Sequence, residues 1–252
     1  MNTLINLFLW LAYGISLVIA LPPVFLAWIA GYRADPHRIW PNRIFMFFGQ
    51  NFTRLNPFWD KKISGLDKVD LSRPTIFVGN HQSFMDMPLL GGLPFKMKWV
   101  SKIELFRVPV VGWHLRMAGH ISVDRGQKGA IQSLQNIQPY MEAGVPVMMF
   151  PEGTRSRKGD LKPFKNGAFI VAKEHNYCIQ PIVIQGTYNI LPPGEWLAKW
   201  KGKVFVSILD PVNPSDFNSM EELRDHTYHC FKTELNRLKQ LMNAEKNKNI
   251  SK

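Results

Sequence analysis

Cysteine is nearly absent from this chain of 252 residues. Its two cysteines, Cys178 and Cys230, are too few for a disulfide framework and do not have the spacing of metal ligands. We therefore expect a reducing compartment and two ordinary thiols. The sequence also lacks any repeat of fixed period, which argues against a repeat architecture, and its length suits one large domain with a full core.

Acidic residues are scarce relative to basic ones. The chain has 19 Asp and Glu against 31 Lys and Arg, which gives a formal net charge of +12. Such an excess favours an anionic partner: nucleic acid, phospholipid headgroups, or a phosphorylated or nucleotide-bearing substrate. Charge alone does not choose among these partners.

Charged side chains are missing before Arg33. Residues 4–21 are almost wholly apolar and allow a helix of roughly 27 Å, which nearly spans a bilayer. Pro22 and Pro23 then interrupt the pattern before residues 24–32 resume it, so the segment forms either one kinked span or a two-helix element in one leaflet. A cleaved signal peptide is the competing interpretation, but the basic n-region of such a peptide is missing.

Basic residues follow the apolar segment, and the positive-inside tendency places them, with the rest of the chain, on the cytoplasmic side of a membrane. In residues 37–58 aromatic side chains alternate with arginines, which is typical of a segment in the headgroup layer. A core-packing helix with snorkelling arginines is the alternative. We divide the chain into a membrane element (1–32), an interfacial aromatic and basic connector (33–64), an α/β domain (65–242) and a polar tail (243–252).

Beyond residue 65, short apolar stretches alternate with helical patterns. This order predicts an α/β fold with a mostly parallel central sheet covered by helices, and it places functional loops at the carboxyl ends of the strands. The predicted strands are residues 74–79, 97–100, 120–123, 146–150, 179–185 and 204–209. The predicted helices are residues 110–117, 129–143, 167–175 and 216–242, the last with Ser219 as an N-cap toward Glu222.

The strongest chemical signal follows the first of these strands, at residues 80–86. Ser83 as an N-cap would put Asp86 where a capping-box acid reaches back over the first turn. The same geometry aims the Asp86 carboxylate at His81, so it would fix the tautomer of the imidazole and stabilise the imidazolium. Because a helix cap and a catalytic partner are compatible roles, His81 is a candidate general base.

A second motif lies at residues 150–157, after another buried strand. Gly153 allows a tight turn, which crowds the side chains of Glu152, Thr154 and Arg155 into one place beyond the sheet. Arginine beside a glycine turn suits bidentate recognition of phosphate. A solvated turn with ordinary surface charges is the alternative.

Two more predicted strands end in charged residues. Lys102 follows the strand at 97–100, and the pair Asp124 and Arg125 follows the strand at 120–123. The pair by itself is more simply explained as a surface ion pair than as a site. Because parallel strands end at one edge of a sheet, however, we expect all of these charged positions to converge there.

Taken in order, these blocks resemble the motifs of the glycerolipid acyltransferases, the 1-acylglycerol-3-phosphate acyltransferase family. The resemblance spans about residues 60–210, and five blocks in the right order and spacing are specific where any single block is weak. The blocks are residues 80–86, 102–112, 119–125, 150–156 and 179–187. Two positions depart from the family pattern in a way that bears on the acceptor: Phe84 stands where the family often has Trp, and Tyr188 where many members have a basic residue.

The resemblance implies the reaction. His81 would take the proton from an acceptor hydroxyl, Asp86 would orient His81, and the hydroxyl oxygen would attack the thioester of an acyl-CoA or an acyl carrier protein without a covalent enzyme intermediate. Because a thioester is already activated, a positioned base and oxyanion stabilisation suffice, so no cofactor and no metal are expected. Backbone N–H groups near the helix start after His81 are the candidate oxyanion donors.

The resemblance also implies the substrate-binding residues. The acceptor-binding block is Glu152, Gly153, Thr154 and Arg155, the cations for its phosphate are Lys102 and Arg125, and Arg157 adds a further contact. The acyl chain needs an apolar channel, which we expect along residues 110–117 and the N-terminal element.

The expected function is therefore a membrane-associated acyltransferase, with its active site on the cytoplasmic side, that esterifies lysophosphatidic acid to phosphatidic acid. Its partners are membrane phospholipid, a lysophospholipid acceptor and an acyl donor, and not nucleic acid. One alternative is another lysophospholipid or hydroxylated lipid as acceptor. A second is a thioester or lipid hydrolase with Ser83 as nucleophile, although no G-x-S-x-G elbow exists. A third is a basic protein that only binds anionic lipid or nucleic acid.

Overall fold

The computed structural model describes residues 2–124 and 133–250. Arg125 and the first residues of the helix predicted at 129–143 lie outside the described residues. Within the described residues the centre of the fold is a seven-stranded sheet of order β1-β7-β6-β2-β5-β3-β4. The strands are β1 Trp59–Ser64, β2 Thr75–Gly79, β3 Lys98–Lys102, β4 Ile121–Val123, β5 Val147–Met149, β6 Cys178–Gln185 and β7 Gly202–Ile208.

Every neighbouring pair of these strands is parallel except β6 and β7, which are antiparallel. The mostly parallel α/β fold predicted from the sequence is thus confirmed. All residues of β2 and β6 are buried, as expected for strands in the middle of a sheet that helices cover on both faces.

Helices cover both faces of the sheet. They are α1 Asn2–Ala30, α2 Ile39–Gly49, α3 Asn51–Arg54, α4 Asp86–Leu90, α5 Val111–Met117, α6 Gln138–Glu142, α7 Gly167–His175, α8 Thr187–Ile190 and α9 Met220–Ile250. Because side chains alternate along a strand, β2 serves two apolar cores. Ile76 and Val78 face the core that contains residues of α7 and α9, whereas Phe77 faces the core that contains residues of α1, α2 and α4.

The apolar N-terminus forms one continuous helix that passes through Pro22 and Pro23, so the two-helix alternative does not apply. Helix α1 is long and apolar enough to cross a membrane by length and composition. One side of it is nevertheless attached to the rest of the molecule. The Asn6 side chain donates to the Ala198 carbonyl (3.0 Å) and accepts from the Ala198 N–H (2.7 Å), and the Trp10 Nε1–H donates to the Trp196 carbonyl (2.7 Å).

The expected connector at 33–64 is corrected at its carboxyl end. Strand β1 lies within it and pairs with β7, so the sheet begins before residue 65. Some of its aromatic side chains belong to the core, because Phe52 and Trp59 are buried. Trp40 and Phe47 are exposed, so the core-packing interpretation holds for only part of the segment.

Two helix predictions also need correction. The described part of the segment predicted as one helix at 129–143 contains a 3₁₀ turn at Gln135–Ile137 followed by the short α6. The polar tail expected from residue 243 is wrong for the described residues, because α9 continues to Ile250. Glu245 accounts for this: its carboxylate pairs with Lys62 of β1 (2.6 Å) and with Lys203 of β7. The predicted cap at the other end is confirmed, since the Glu222 N–H donates to Ser219 Oγ (3.1 Å).

Candidate active site

The candidate base lies two residues beyond the carboxyl end of β2. His81 Nδ1 is 2.8 Å from Asp86 Oδ2. The Asp86 side chain is fully buried, whereas 15% of the His81 side chain remains exposed. The pair is therefore a water-shielded carboxylate behind an imidazole that faces an opening.

Helix α4 begins at Asp86 itself, so Ser83 is not its N-cap, but the carboxylate of Asp86 reaches back over the preceding turn as expected. Its Oδ2 atom accepts hydrogen bonds from the backbone N–H groups of Gln82 (2.7 Å) and Ser83 (2.8 Å), just before α4 begins. Because this oxygen already accepts twice, its contact with His81 is best satisfied by an N–H at Nδ1. The lone pair then resides on Nε2, which is the nitrogen that a general base would use.

The same contacts engage several of the backbone N–H groups near the helix start, where the oxyanion donors were expected. The N–H groups of Gln82 and Ser83 are held by Asp86, that of Met85 by Ser83 Oγ (3.2 Å) and that of His81 by Glu152 (2.8 Å). These backbone donors at the helix start are not directed at a substrate. Their hydrogen bonds position the Asp86 carboxylate and the loop that carries His81.

Phe150 supports the imidazole from the neighbouring strand β5. Its ring stacks on the His81 ring with centroids 4.2 Å apart and planes inclined by 13°. Gly79 makes room for this arrangement, because a Cβ there would lie 2.4 Å from Met148 Cε and 3.2 Å from Phe150 Cε1. The sequence analysis gave neither residue a role, since stacking between two strand ends leaves no local pattern.

Glu152 lies behind the base rather than in front of it. The residue is 3% exposed, and its carboxylate accepts from two backbone groups, the His81 N–H (2.8 Å) and the Lys162 N–H (3.1 Å). Loss of water on burial, aided by the Asp86 charge and opposed by the two N–H donors, raises the pKa of Glu152 to about 7. The Ser156 N–H also donates to the His81 carbonyl (2.9 Å), so residues 152–162 are joined to the backbone of His81 at two points.

His81 opens onto a cavity of about 330 Å³. Three of the expected substrate-binding residues share its wall: Lys102 from the end of β3, with Thr154 and Arg155 from the loop after β5. All three are exposed, and two of them are cations. The structure thus brings these four residues together, whereas Glu152 and Gly153 do not line this cavity. Gly153 forms the turn itself, with φ of +73°.

The remainder of the cavity wall is largely apolar. The region expected to form a channel contributes Val111 and Leu115 of α5, and the N-terminal helix contributes Tyr13 and Leu17. Helix α2 contributes a third side that the sequence analysis had assigned to the headgroup layer: Phe45, Met46 and Gly49. A charged entrance therefore continues into an apolar interior, and the imidazole lies in the wall of the same cavity.

The pair at the end of β4 is only partly described. Asp124 follows β4, which is parallel to β3, so it lies at the expected carboxyl edge of the sheet, although it does not line this cavity. Arg125 lies outside the described residues. Lys165, which the sequence analysis did not single out, extends along the Gly153 turn, with Nζ 3.1 Å from the position that a Cβ would take there. The basic character of the loop after β5 is thus greater than the motif alone suggests.

Comparisons with known proteins agree with this architecture. A family model described as Acyltransferase matches residues 60–185. The chain is 32% identical over 186 residues to a 1-acyl-sn-glycerol-3-phosphate acyltransferase of Haemophilus influenzae, covering 71% of this chain and 75% of that protein. It is 36% identical over 161 residues to a chloroplastic 1-acyl-sn-glycerol-3-phosphate acyltransferase of Arabidopsis thaliana, covering 63% of this chain.

A crystal structure of the 1-acyl-sn-glycerophosphate (LPA) acyltransferase PlsC from Thermotoga maritima is similar in fold. The TM-score is 0.80 at 30% sequence identity, over 95% of this chain and 98% of that one. The match to the Arabidopsis protein covers only 45% of its length, so the chain spans about half of this longer relative.

Proposed function

Because the chain belongs to the acyltransferase family, we propose that it transfers a fatty acyl group from an acyl thioester to the free hydroxyl of lysophosphatidic acid, giving phosphatidic acid. The relatives named above carry this activity in their names, and the cavity supports the same assignment. The donor is acyl-CoA or acyl carrier protein. Another lysophospholipid or hydroxylated lipid is the alternative acceptor.

One observation carries the proposal: a histidine–carboxylate pair, two cations and an apolar interior share a single cavity. Lysophosphatidic acid has the matching chemistry, because it combines a phosphate, a hydroxyl and one acyl chain. In the proposed complex Lys102 and Arg155 hold the phosphate, and the chains extend into the apolar interior. Arginine offers a planar pair of donors to the phosphate, and lysine adds a point charge.

In the first step, His81 Nε2 takes the proton from the acceptor hydroxyl while the hydroxyl oxygen bonds to the thioester carbonyl carbon. The buried Asp86 carboxylate stabilises the imidazolium that forms, since Nδ1 keeps its hydrogen and faces Oδ2. Stacking on Phe150 and the two loop contacts hold the ring in place, so little reorientation is needed during the step.

In the second step the tetrahedral intermediate collapses. The carbon–sulfur bond breaks, the ester forms, and the thiolate leaves with the proton that His81 returns to it. The negative charge that develops on the carbonyl oxygen needs hydrogen-bond donors, and the N–H groups of Gln82 and Ser83 are already bonded to Asp86. The Thr154 hydroxyl and the cations of the cavity wall are the groups placed to supply them.

We also propose that the protein attaches to a membrane through one side of α1. The helix docks on the domain from Asn6 to the Leu17 carbonyl, which accepts from His114 Nε2 (2.9 Å). Its other side exposes large apolar residues: Leu4, Leu7, Phe8, Leu11, Ile15, Val18, Ile19, Phe25, Leu26 and Ile29. A helix bound lengthwise to a basic domain suits the membrane interface, with the active site on the cytoplasmic side.

The test is an acyl-transfer assay on purified protein in detergent. Lysophosphatidic acid and lysophosphatidylcholine serve as acceptors, and acyl-CoA and acyl carrier protein as donors. We expect turnover with lysophosphatidic acid, a loss of at least about 100-fold in kcat for His81→Ala, and a similar loss for Asp86→Asn, which keeps the shape but loses the charge. Full turnover by His81→Ala would refute the mechanism.

The same assay separates the hydrolase alternative. Ser83 is fully buried, and its Oγ donates to the Leu191 carbonyl (2.6 Å), so it is engaged in the scaffold. Ser83→Ala should therefore retain the chemistry, apart from any loss of stability. Abolished turnover in a correctly folded Ser83→Ala protein, together with an acyl-enzyme trapped in the wild type, would favour the hydrolase.

A further inference from the structure

A second cavity, of about 660 Å³, lies between the carboxyl-terminal half of α1 and helix α5. Phe25 and Trp28 form one side of this groove, and Trp113 and Met117 form the other. Its size falls within the range of pockets that hold small ligands, roughly 300–1,000 Å³. Trp113 is 50% exposed and Phe25 47%, so apolar surface that folding could have covered is left open.

The groove is separate from the active-site cavity, and the two have no lining residue in common. A wall stands between them where α1 meets α5: the His114 ring contacts the Leu17 carbonyl through Nε2 (2.9 Å) and stacks on Phe45 at 4.9 Å. Residues Leu17 and Leu115 face the active-site cavity, whereas Leu21 and Met117, farther along the same helices, face the groove. The groove is thus not an extension of the acyl channel.

Two arginines accompany this apolar surface. Arg38 and Arg116 both line the groove, and one nitrogen of the Arg38 guanidinium donates to the Arg116 carbonyl. Across residues 2–124 and 133–250, neither arginine forms a salt bridge with a carboxylate. Two uncompensated cations beside an almost wholly apolar groove call for a ligand that is anionic at one end and apolar along the rest.

We propose that this groove binds one anionic phospholipid of the surrounding bilayer, with its phosphate at Arg38 and Arg116 and an acyl chain along Phe25, Trp28 and Trp113. The neighbouring surface supports a lipid, because the exposed apolar side of α1 continues past the groove through Leu26 and Ile29. Tryptophan at such a boundary is typical of contact with the headgroup region. Two cations disfavour a second copy of this basic chain as occupant.

Binding at the groove does not need acyl transfer. The groove holds none of the residues proposed for the chemistry, and a lipid seated there would brace α1 against α5 across the wall at His114. It requires only that α1 lies at a membrane. The site is therefore testable in protein that has no activity, such as His81→Ala.

The experiment uses quenching of tryptophan fluorescence by lipids brominated on the acyl chain, in micelles of a non-ionic detergent. The probes are phosphatidylglycerol and phosphatidylcholine with identical brominated chains. Because the chain has 8 tryptophans, the contribution of the groove must be separated from that of the others. It is the part of the quenching that the wild type shows and the double variant Trp28→Phe/Trp113→Phe does not. We expect half-saturation at a lower mole fraction of phosphatidylglycerol than of phosphatidylcholine.

Arg116→Gln is the main variant, because the hydrogen bond from Arg38 uses its backbone and is kept. It should raise the half-saturating mole fraction of phosphatidylglycerol by about fivefold, the effect expected for one basic residue at an anionic lipid, and leave that of phosphatidylcholine unchanged. Arg38→Gln should act in the same direction. The matched control is Arg43→Gln, an exposed arginine of α2 that does not line the groove.

Three outcomes would overturn the proposal. Equal half-saturating mole fractions for the two lipids would mean that the groove contacts acyl chains without recognising an anionic headgroup. An unchanged curve in folded Arg116→Gln would remove the phosphate contact. Displacement of the brominated lipid by lysophosphatidic acid at a lower mole fraction than by unlabelled phosphatidylglycerol, in His81→Ala as well as in the wild type, would assign the groove to the substrate. Quenching that persists in His81→Ala while acyl transfer is lost keeps this site distinct from the proposed function.

Discussion

At the residue scale, Glu152 is a buried carboxyl that does not line the active-site cavity and is bonded to the loops beside it. Its two oxygens accept the N–H groups of His81 and Lys162, which lie on different loops. A buried N–H without an acceptor costs on the order of 1–3 kcal/mol, so this carboxyl holds both loops in register. We therefore regard Glu152 as a positioning residue that acts through His81.

Glu152→Gln tests this role. An amide keeps one acceptor oxygen but presents an NH₂ group to the other N–H donor, so one loop contact is lost and His81 is less well held. We expect kcat to fall by about tenfold or more, as follows from a loss of 1–3 kcal/mol, with little change in the KM for lysophosphatidic acid. Arg155→Gln, in contrast, should mainly raise this KM.

Steady-state kinetics of the two variants distinguish positioning from binding. A raised KM with an unchanged kcat in Glu152→Gln would return Glu152 to the acceptor-binding block that the family resemblance implied. The sequence analysis could place Asp86 correctly relative to His81 because the two are five positions apart within one turn. It could not place Glu152, whose partner His81 is 71 positions away and whose charged neighbours are typical of a surface turn.

At the element scale, the strands that the sequence predicted are those buried on both faces. Strands β2 and β6 are rich in β-branched and apolar residues, and every residue in them is buried, including Gln180 and Gln185 of β6. Strand β1 was missed because only Trp59 of its six residues is buried, so neither an apolar run nor an alternation marks it. Similarly, the polar end of α9 from residue 243 was predicted as a tail, since the contacts of Glu245 are with strands far away in sequence.

Glu245→Gln tests the ordering of that helix end. Pairing with Lys203 and Lys62 lowers the pKa of Glu245 to about 2, so the contribution is present above the ordinary carboxyl pKa and is lost as the pH falls toward 2. The neutral amide should weaken the tie between α9 and the strands β1 and β7. We expect faster amide hydrogen exchange around residues 243–247, with the rest of α9 unchanged.

Glu221→Gln, at the exposed start of α9, is the control and should leave exchange around residues 243–247 as in the wild type. High salt should reproduce part of the Glu245→Gln effect, because partly exposed ion pairs are screened. Unaltered exchange in Glu245→Gln would show that helix propensity, and not these pairs, orders the segment.

At the scale of the whole molecule, Lys98 lies where the sheet, α2 and α5 meet. Its side chain is fully buried, and Nζ donates to the carbonyls of Arg38 (3.0 Å) and Ala118 (2.6 Å), 5.4 Å from the centre of the Tyr140 ring. Burial lowers the pKa of Lys98 to about 7. Where the sheet, α2 and α5 meet, the protein thus contains a lysine side chain that is only partly charged near neutral pH.

This lysine makes global stability depend on pH. Since its pKa is about 7 when folded and 10.5 when unfolded, the unfolded chain binds more protons between these values. The free energy of unfolding should therefore rise with pH from 7 toward 10, by at most about 1.4 kcal/mol per pH unit, relative to Lys98→Met. Thermal unfolding of both proteins across this range measures the difference.

Lys201→Met, which removes an exposed lysine, should parallel the wild type at every pH. Lys98→Met loses two hydrogen bonds to carbonyls, so it carries a constant penalty, and only the change with pH is diagnostic. Parallel curves for wild type and Lys98→Met would show that Lys98 has the same affinity for protons in both states.

The pairing of β1 with β7 has a consequence for biosynthesis. Trp59 is aligned with Gly202, so β1, the first strand to be synthesised, cannot pair until β7, the last strand, has been synthesised. The apolar α1 has been synthesised by then. Trp59, which is 2% exposed in the folded protein, has no strand to pair with until β7 is made. Such high contact order slows folding and leaves apolar surface uncovered. Helix α1, the proposed site of membrane attachment, is therefore synthesised before the strand that completes the sheet.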